Sequence, residues 1–304
     1  MSSRRILVVG SANIDLVTRV PRIPKPGESL IGHSFTTFTG GKGANQAVAA
    51  ARLGAATSFA GCVGADVFGE MQRASLSAEG IDLRFLKTHA AEPTGTAVIQ
   101  VADSGENSIV VTPAANNGLL PEDVAAFTRN LQQFDVVMLQ LEIPIETVKA
   151  VLSAARNAGV LSILDAGPAQ SVPDNILELA GVLSPNETEA EAMTGLPVAS
   201  INQARQAATQ LIERGARDVV VKMAAKGALY MNADEWLHVP AFKVDAVDTV
   251  AAGDAFTAAL ALKWGTVSAL EAVRFANAAG ALATLNHGAQ AAMPTLEAVE
   301  NFLN

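Results

Sequence analysis

Six short runs of β-branched and aliphatic residues, separated by helical patterns, set the strongest limit on what this chain can fold into. They occupy residues 6–10, 57–63, 135–139, 160–164, 182–184 and 218–222. Each is a nearly continuous apolar run, and most are bounded by Gly, Pro or Asp. That is the pattern of strands covered on both faces. Between them, residues 43–53, 68–78, 121–132, 145–157 and 202–214 read as helices. Such alternation specifies an α/β fold, a doubly wound and mostly parallel sheet flanked by helices. Residues 16–38 and 95–112 break the rhythm and read as paired strands with polar turns, such as Asp103-Ser104-Gly105-Glu106. They are expected to form a small antiparallel sheet serving as a lid. The C-terminal part turns helical at 253–264, 268–285 and 295–303. No repeat or long linker interrupts the chain, so residues 1–304 are expected to form one domain carrying that lid.

Composition narrows the partners. Half of the 304 residues are hydrophobic, which excludes a disordered chain. A net charge of -9 and only 5% aromatic residues argue against a nucleic-acid partner. The 57 alanines suit close helix packing. The longest apolar stretch, 47–65, is interrupted by Arg52, Gly54, Gly61 and Gly64, so it reads as a helix and a strand and not as a membrane span. The N-terminal apolar run is too short for a secretion signal, and the single Cys62 has no internal partner. A cytoplasmic protein without a membrane partner is expected.

The familiar nucleotide and hydrolase motifs are missing. No stretch fits the P-loop pattern, Gly41-Lys42-Gly43 has Gln46 where a third dinucleotide-binding glycine would fall, and no Gly-x-Ser-x-Gly elbow occurs. His33, His89, His238 and His287 are scattered without metal-ligand spacing and read as surface residues. Chemistry concentrates elsewhere. In Asp248-Thr-Val-Ala-Ala-Gly-Asp254, the small residues Ala251, Ala252 and Gly253 let a ligand approach the backbone at a helix start, where free N–H groups make an anion site. Asp254 falls in the first turn, where the helix end favours the ionised carboxylate. A carboxylate beside an anion hole is what a phosphoryl transfer to a hydroxyl requires. A plain helix N-cap is the competing reading. The glycines of Thr39-Gly-Gly-Lys-Gly-Ala-Asn-Gln46 precede a helix and suit close contact with a polar ligand, with Asn45 in reach of a hydroxyl. Asn13 and Asp15 follow the first strand and, in extended chain, face one side, which suits sugar hydroxyls. In Ser184-Pro-Asn-Glu-Thr-Glu-Ala-Glu191, Glu189 and Glu191 read as ordinary helix-start acids. Asn186 and Glu187 are the candidates for phosphate or water-mediated metal contacts.

Taken in order and spacing, these segments resemble the ribokinase (PfkB-type) carbohydrate kinase family. Gly40-Gly-Lys-Gly-Ala-Asn-Gln-Ala47, with Gly54 and Gly64, resembles its N-terminal signature, and residues 248–261 resemble its C-terminal one. Residues 10–15, 139–142 and 185–189 match supporting motifs, so the likeness covers nearly the whole chain. The resemblance implies ATP-dependent phosphorylation of a sugar hydroxymethyl group. It implies that Asn13 and Asp15 hold sugar hydroxyls, that Gly40, Gly41, Lys42, Gly43 and Asn45 wrap the sugar, and that Glu142 supports it. Asn186 and Glu187 would lie near the phosphates and Mg²⁺ or another divalent cation. Lys222, Ala224, Lys226, Gly227 and Asn277 would border the nucleotide. Gly253, with Ala251 and Ala252, would form the anion hole, and Asp254 would be the base. A K⁺ site would use Asp248, Val250, Ala283, Asn286 and Gly288, mostly through backbone oxygens, with Ala292 where these kinases often carry serine. The glycine signature is most similar to that of ribokinases and deoxyribokinases, so D-ribose is the expected substrate. The alternatives are 2-deoxyribose, a nucleoside, a keto-sugar acid, or sugar binding without turnover. A homodimer formed through the lids is also implied. Two positions depart from the family pattern: Ala224 replaces a glycine, and Asp165-Ala-Gly-Pro168 replaces Asn-Pro-x-Pro in a loop expected to bear on sugar choice.

Overall fold

The computed structural model describes residues 3–304. Among them the strands are β1 (Arg5–Val9), β2 (Asn13–Val20), β3 (Ser34–Gly40), β4 (Ala56–Gly64), β5 (Asp82–His89), β6 (Gly95–Ala102), β7 (Asn107–Thr112), β8 (Val136–Leu139), β9 (Leu161–Asp165), β10 (Val182–Ser184), β11 (Asp218–Lys222), β12 (Ala228–Met231) and β13 (Trp236–Val239). The main sheet runs in the order β13-β12-β11-β10-β9-β8-β1-β4-β5. Its strands from β11 to β5 are parallel, and β12 and β13 close one edge as an antiparallel hairpin.

Alternation along β1 shows why both faces need helices. Ile6 and Val8 enter one hydrophobic cluster while Leu7 and Val9 enter the other, and all four are fully buried. The first cluster holds the helices Lys42–Arg52, Ala252–Lys263 and Ala269–Ala283, and the second holds Ile145–Ala158 and Ile201–Glu213. Alanines build the contact in the first cluster. Ala44, Ala47 and Ala50 of one helix, Ala255, Ala258 and Ala259 of the next and Ala272, Ala276 and Ala279 of the third all lie in this cluster, and the middle helix packs against both others. The Ala252–Lys263 helix is buried at every residue from Asp254 to Ala261.

The second sheet has the order β3-β2-β6-β7. It is mixed, not antiparallel as expected. The outer pairs are antiparallel, but the central β2–β6 pair is parallel. The reason is where the strands originate. β2 and β6 leave the carboxyl ends of β1 and β5, which point the same way in the main sheet. Strand structure also reaches beyond the expected limits, beginning at Asn13 and ending at Gly40, and β3 feeds directly into the Lys42–Arg52 helix. Phe35, Val98, Ile109, Val110 and Val111 are exposed on this sheet. No helix among the described residues is long and apolar enough to cross a membrane.

Candidate active site

Strand order reverses between β1 and β8, and ligands of open α/β sheets bind outside the carboxyl ends at such a point. The chain leaves those ends through Ser11, Glu142, Asp165, Asn186 and Lys222. At the switch point Ser11 Oγ donates to Glu142 Oε2, which also accepts from the Lys42 backbone N–H at 3.2 Å. The glycine loop explains how a helix comes so near. Gly41 has φ of +90°, and a β-carbon on Gly43 would stand 2.6 Å from the Ser11 nitrogen. Only glycine permits either arrangement.

Asn13 and Asp15 stand in β2, and a side chain on Gly40 would strike the Asp15 carboxylate. Asn13 Oδ1 accepts from Asn116 Nδ2 at 2.7 Å, and Asn116 Oδ1 accepts from the Ala12 N–H at 2.9 Å. Gln72 donates to the carbonyls of both Asn13 and Gly40, tying β2 to β3. Asn116 and Gln72 lie in no recognisable motif, and only their buried positions reveal them. Burial, with Glu142 and Asp254 nearby, pushes the Asp15 carboxyl up to about 7.

Asp254 is 4% exposed on the first turn of the Ala252–Lys263 helix. It is not an N-cap. Ala251 holds that position with φ of +60°, and no side chain caps the helix. Instead Asp254 accepts from Asn45 Nδ2 at 3.0 Å and Gln46 Nε2 at 3.1 Å. Burial pushes its carboxyl up to about 6, against the opposing pull of Lys42. The sequence reading has the helix end favouring ionisation; burial is the stronger effect, and the group is still mostly ionised at pH 7.

A cleft of about 730 Å³ opens beside this carboxylate, within the usual range for small-ligand sites. Asn186, Glu187, Lys222, Ala224, Gly227 and Asn277 all line it, together with Ala251, Ala252, Gly253, Asp254 and Lys42. Asn277 Nδ2 donates to the carbonyls of Val239 and Pro240, fixing that wall. Asn186 is committed to its helix: its Oδ1 accepts from the Glu189 N–H at 2.8 Å, and Glu189 reciprocates. Lys226 departs from expectation. Its side chain is exposed and outside the cleft, because the short turn Ala224–Lys226 carries it outward while its carbonyl accepts from His238 Nε2 at 2.7 Å. Glu189 is the helix-start acid the sequence suggests, closing a capping box with Asn186, but it is also buried. It is 3% exposed, and its carboxylate and the Lys42 ammonium both lie beside Gly167.

Asp248 joins two segments, its carboxylate accepting from the Val250 N–H at 3.0 Å and the Gly288 N–H at 3.1 Å. Ala283 and Ala292 are buried on either side of the loop, and Asn286 is exposed on it. Asp165 opens the Asp165-Ala-Gly-Pro168 segment that departs from the family pattern. It is 1% exposed and paired with Lys222 at 2.9 Å, behind the cleft wall that Lys222 lines.

Ala224 adopts φ of +44°, the left-handed region that glycine tolerates and alanine resists. If the cleft takes the ATP that the resemblance implies, Ala224→Gly is expected to lower its KM two- to fivefold, roughly 0.4–1 kcal/mol, by removing a methyl from the cleft wall. ADP release at saturating sugar measures this, and an unchanged or raised KM would show that the methyl is harmless.

A buried carboxylate at an uncapped helix start, beside a nucleotide-sized cleft, defines a phosphotransferase acting on a hydroxyl group. Comparison with known proteins gives the particular family. A model described as pfkB family carbohydrate kinase matches residues 3–296. The ribokinase of Haemophilus influenzae is 40% identical over 307 residues, covering 99% of this chain and 98% of the relative. The deoxyribokinase of Salmonella typhi is 36% identical over 305 residues, covering 98% of each. A solved structure of Arabidopsis thaliana ribokinase complexed with ribose and ATP superposes with a TM-score of 0.91 at 33% identity, covering 100% of this chain and 99% of the other. The chain belongs to the pfkB family of carbohydrate kinases.

Proposed function

We propose that this protein is an ATP-dependent kinase that phosphorylates the primary hydroxyl of D-ribose to give D-ribose 5-phosphate. The observation that carries the reading is Asp254, buried at an uncapped helix N-terminus between the cleft and the cluster of Asp15, Asn45 and Glu142. Asn13 and Asp15 hold sugar hydroxyls, and Gly40, Gly41, Lys42, Gly43, Asn45 and Glu142 form the rest of the sugar pocket. Asp254 accepts the proton of the primary hydroxyl. The freed oxygen bonds to the γ-phosphorus, the bond to the β-phosphate bridging oxygen breaks, and ADP leaves with that electron pair. The backbone of Ala251, Ala252 and Gly253 receives the charge that develops on the phosphoryl oxygens. Lys222, Ala224, Gly227 and Asn277 border the nucleotide.

Asn186 and Glu187 would hold Mg²⁺ or another divalent cation through water, and the carboxylate of Glu187 on the cleft wall suits that hard ion. When bound, the ion supplies charge neutralisation at the phosphates. The oxygen chemistry around Asp248, Val250, Ala283, Asn286 and Gly288, one carboxylate with main-chain carbonyls, suits K⁺; Ala292 adds no side-chain oxygen. The four-stranded sheet serves as a lid, and its exposed Val98, Ile109, Val110 and Val111 pair with those of a second copy in a homodimer. The kinase works in the cytoplasm, consistent with its single, buried cysteine.

A coupled ADP-release assay over D-ribose, 2-deoxyribose, a nucleoside and a keto-sugar acid, with and without K⁺, tests the assignment. D-ribose is expected to show the highest kcat/KM, and K⁺ to raise it. Preference for any other member of the panel replaces D-ribose as the substrate. A thermal shift with ribose but no ADP release would point to a binding protein instead.

A further inference from the structure

Two acids and one amine are locked together beneath the site with the help of neutral side chains. Asp165, at the end of β9, accepts from Lys222 Nζ at 2.9 Å, Gln46 Nε2 at 2.9 Å, Thr257 Oγ1 at 3.0 Å and the Gly167 N–H at 3.3 Å. Gln46 Nε2 also donates to Asp254 at 3.1 Å, and its Oε1 accepts from Gln140 Nε2 at 2.6 Å, so it cannot turn away. Thr257 Oγ1 sits 2.9 Å from the Gly253 carbonyl. Outside its own helix and chain neighbours, Lys222 Nζ is the nearest atom to the point where a β-carbon on Gly253 would stand, 3.9 Å away. The ammonium therefore borders the helix start that receives the phosphoryl group.

A buried ion pair is poor evidence of a stabilising device, because desolvation costs about what the attraction returns. Its placement calls for another account. An unrestrained lysine has a long flexible stem and would settle on the phosphates of bound ATP. That strengthens ground-state binding without speeding the transfer. An anchored ammonium keeps its position for the charge that develops later.

We propose that Asp165 is a positioning residue for phosphoryl transfer: through Lys222 it keeps an ammonium beside Gly253, and through Gln46 it sets the charge environment of Asp254. The proposal rests on the reading of Asp254 as the base. The charged groups around Asp254 are Lys42 from the helix that follows the glycine loop, Asp165 and Lys222 from the strand ends, Glu189 beyond Lys42, and Asp15 and Glu142 from the sugar side. Burial alone would raise the Asp165 carboxyl, but Lys222 and Lys42 hold it below the usual carboxylate range, so it faces Asp254 as a fixed negative charge.

Asp165→Asn keeps the size and removes the charge. Its kcat is expected to fall about tenfold with the KM for ATP unchanged or lower, the sign of an interaction made only in the transition state. The acid limb of its kcat profile should move down by about half a pH unit, because one negative charge near Asp254 is gone. Lys222→Met should move the same limb up, since Asp165 is then uncompensated, and Lys222→Arg should leave it near wild type. The double variant Asp165→Asn with Lys222→Met should lose no more kcat than Lys222→Met alone. If wild type releases no ADP with any sugar, the kinase reading fails. If wild type turns over and Asp165→Asn matches it in kcat and acid limb, the kinase reading stands and Asp165 has no positioning role. If a melt shows that Asp165→Asn does not fold, the Lys222 pair decides: an acid limb unmoved in Lys222→Met overturns the proposal.

Discussion

Asp254→Asn is expected to retain the fold and lose at least ~10²-fold, and up to ~10⁴-fold, in kcat, the loss typical of a positioned general base. The amide preserves the shape between Asn45 and Gln46 but has no basic oxygen to take the hydroxyl proton. The hydrogen bonds from Asn45 Nδ2 and Gln46 Nε2 leave one new amide N–H facing a donor, a small cost beside the removal of a buried charge. The pH dependence follows from the same residue. Only the ionised carboxylate accepts a proton, and burial places its titration at about 6. Wild-type turnover should therefore fall as pH drops through about 6, with one proton taken up. ADP release between pH 5 and 8 measures both effects. A folded Asp254→Asn variant turning over like wild type would remove this residue from the chemistry.

Asp15→Asn should act in opposite directions on binding and stability. Replacing a charged acceptor of sugar hydroxyls with a neutral one should raise the sugar KM roughly ten- to hundredfold, the cost of about 1.5–3 kcal/mol for a hydrogen bond to a charged group. The free protein, however, should melt higher. The Asp15 carboxyl titrates at about 7 in the fold, above its ordinary value near 3.8, so the folded state binds the extra proton. The associated stability is complete below the unfolded value and disappears as pH rises to about 7. The amide variant is indifferent to pH at this position, so its advantage over wild type should be small near pH 4, grow up to about pH 7 and then level off. Melts at pH 5 and pH 8 without sugar test this; an equal difference at both would mean that Asp15 is not held against its own ionisation. Such a trade of stability for function is common where acids converge on a ligand.

The fold was legible where burial leaves an unbroken apolar run. β1, β4 and β8 to β11 are covered on both faces, and their sequences say so. The edges were not legible. β5 reads Asp-Leu-Arg-Phe-Leu-Lys-Thr-His because it has one neighbour and a wet side, and β12 and β13 are only four residues each. The direction of β6 against β2 was hidden for another reason, since it depends on which strands of the main sheet they leave. In the site, Asp254, Asn45, Asp15 and the cleft residues were marked by motifs around glycines. Asp165, Gln46, Thr257 and Lys222 meet only because four distant segments end at one place, and no local spacing encodes that meeting. Lys226 was misplaced because a motif carries its whole span forward, whereas the turn at Ala224 sends one side chain to solvent.

The alanine contacts behind the Ala252–Lys263 helix bear on how this protein can evolve. Alanine has no side-chain rotamers, so at Ala255, Ala258, Ala259 and Ala261 this helix offers its neighbours no adjustable side chain; only Phe256, Thr257 and Leu260 among the buried neutral positions have one. The helix seat fixes the Asp254 backbone, and the amides of Asn45 and Gln46 fix its carboxylate. The same arrangement leaves nothing to absorb an added methyl group, because close-packed interiors pass strain along. Enlarging Ala258 or Ala259, well inside the core, would tilt the helix and turn the carboxylate. The least mutable support of the active site is therefore a pair of plain alanines, Ala258 and Ala259, that do not line the cleft.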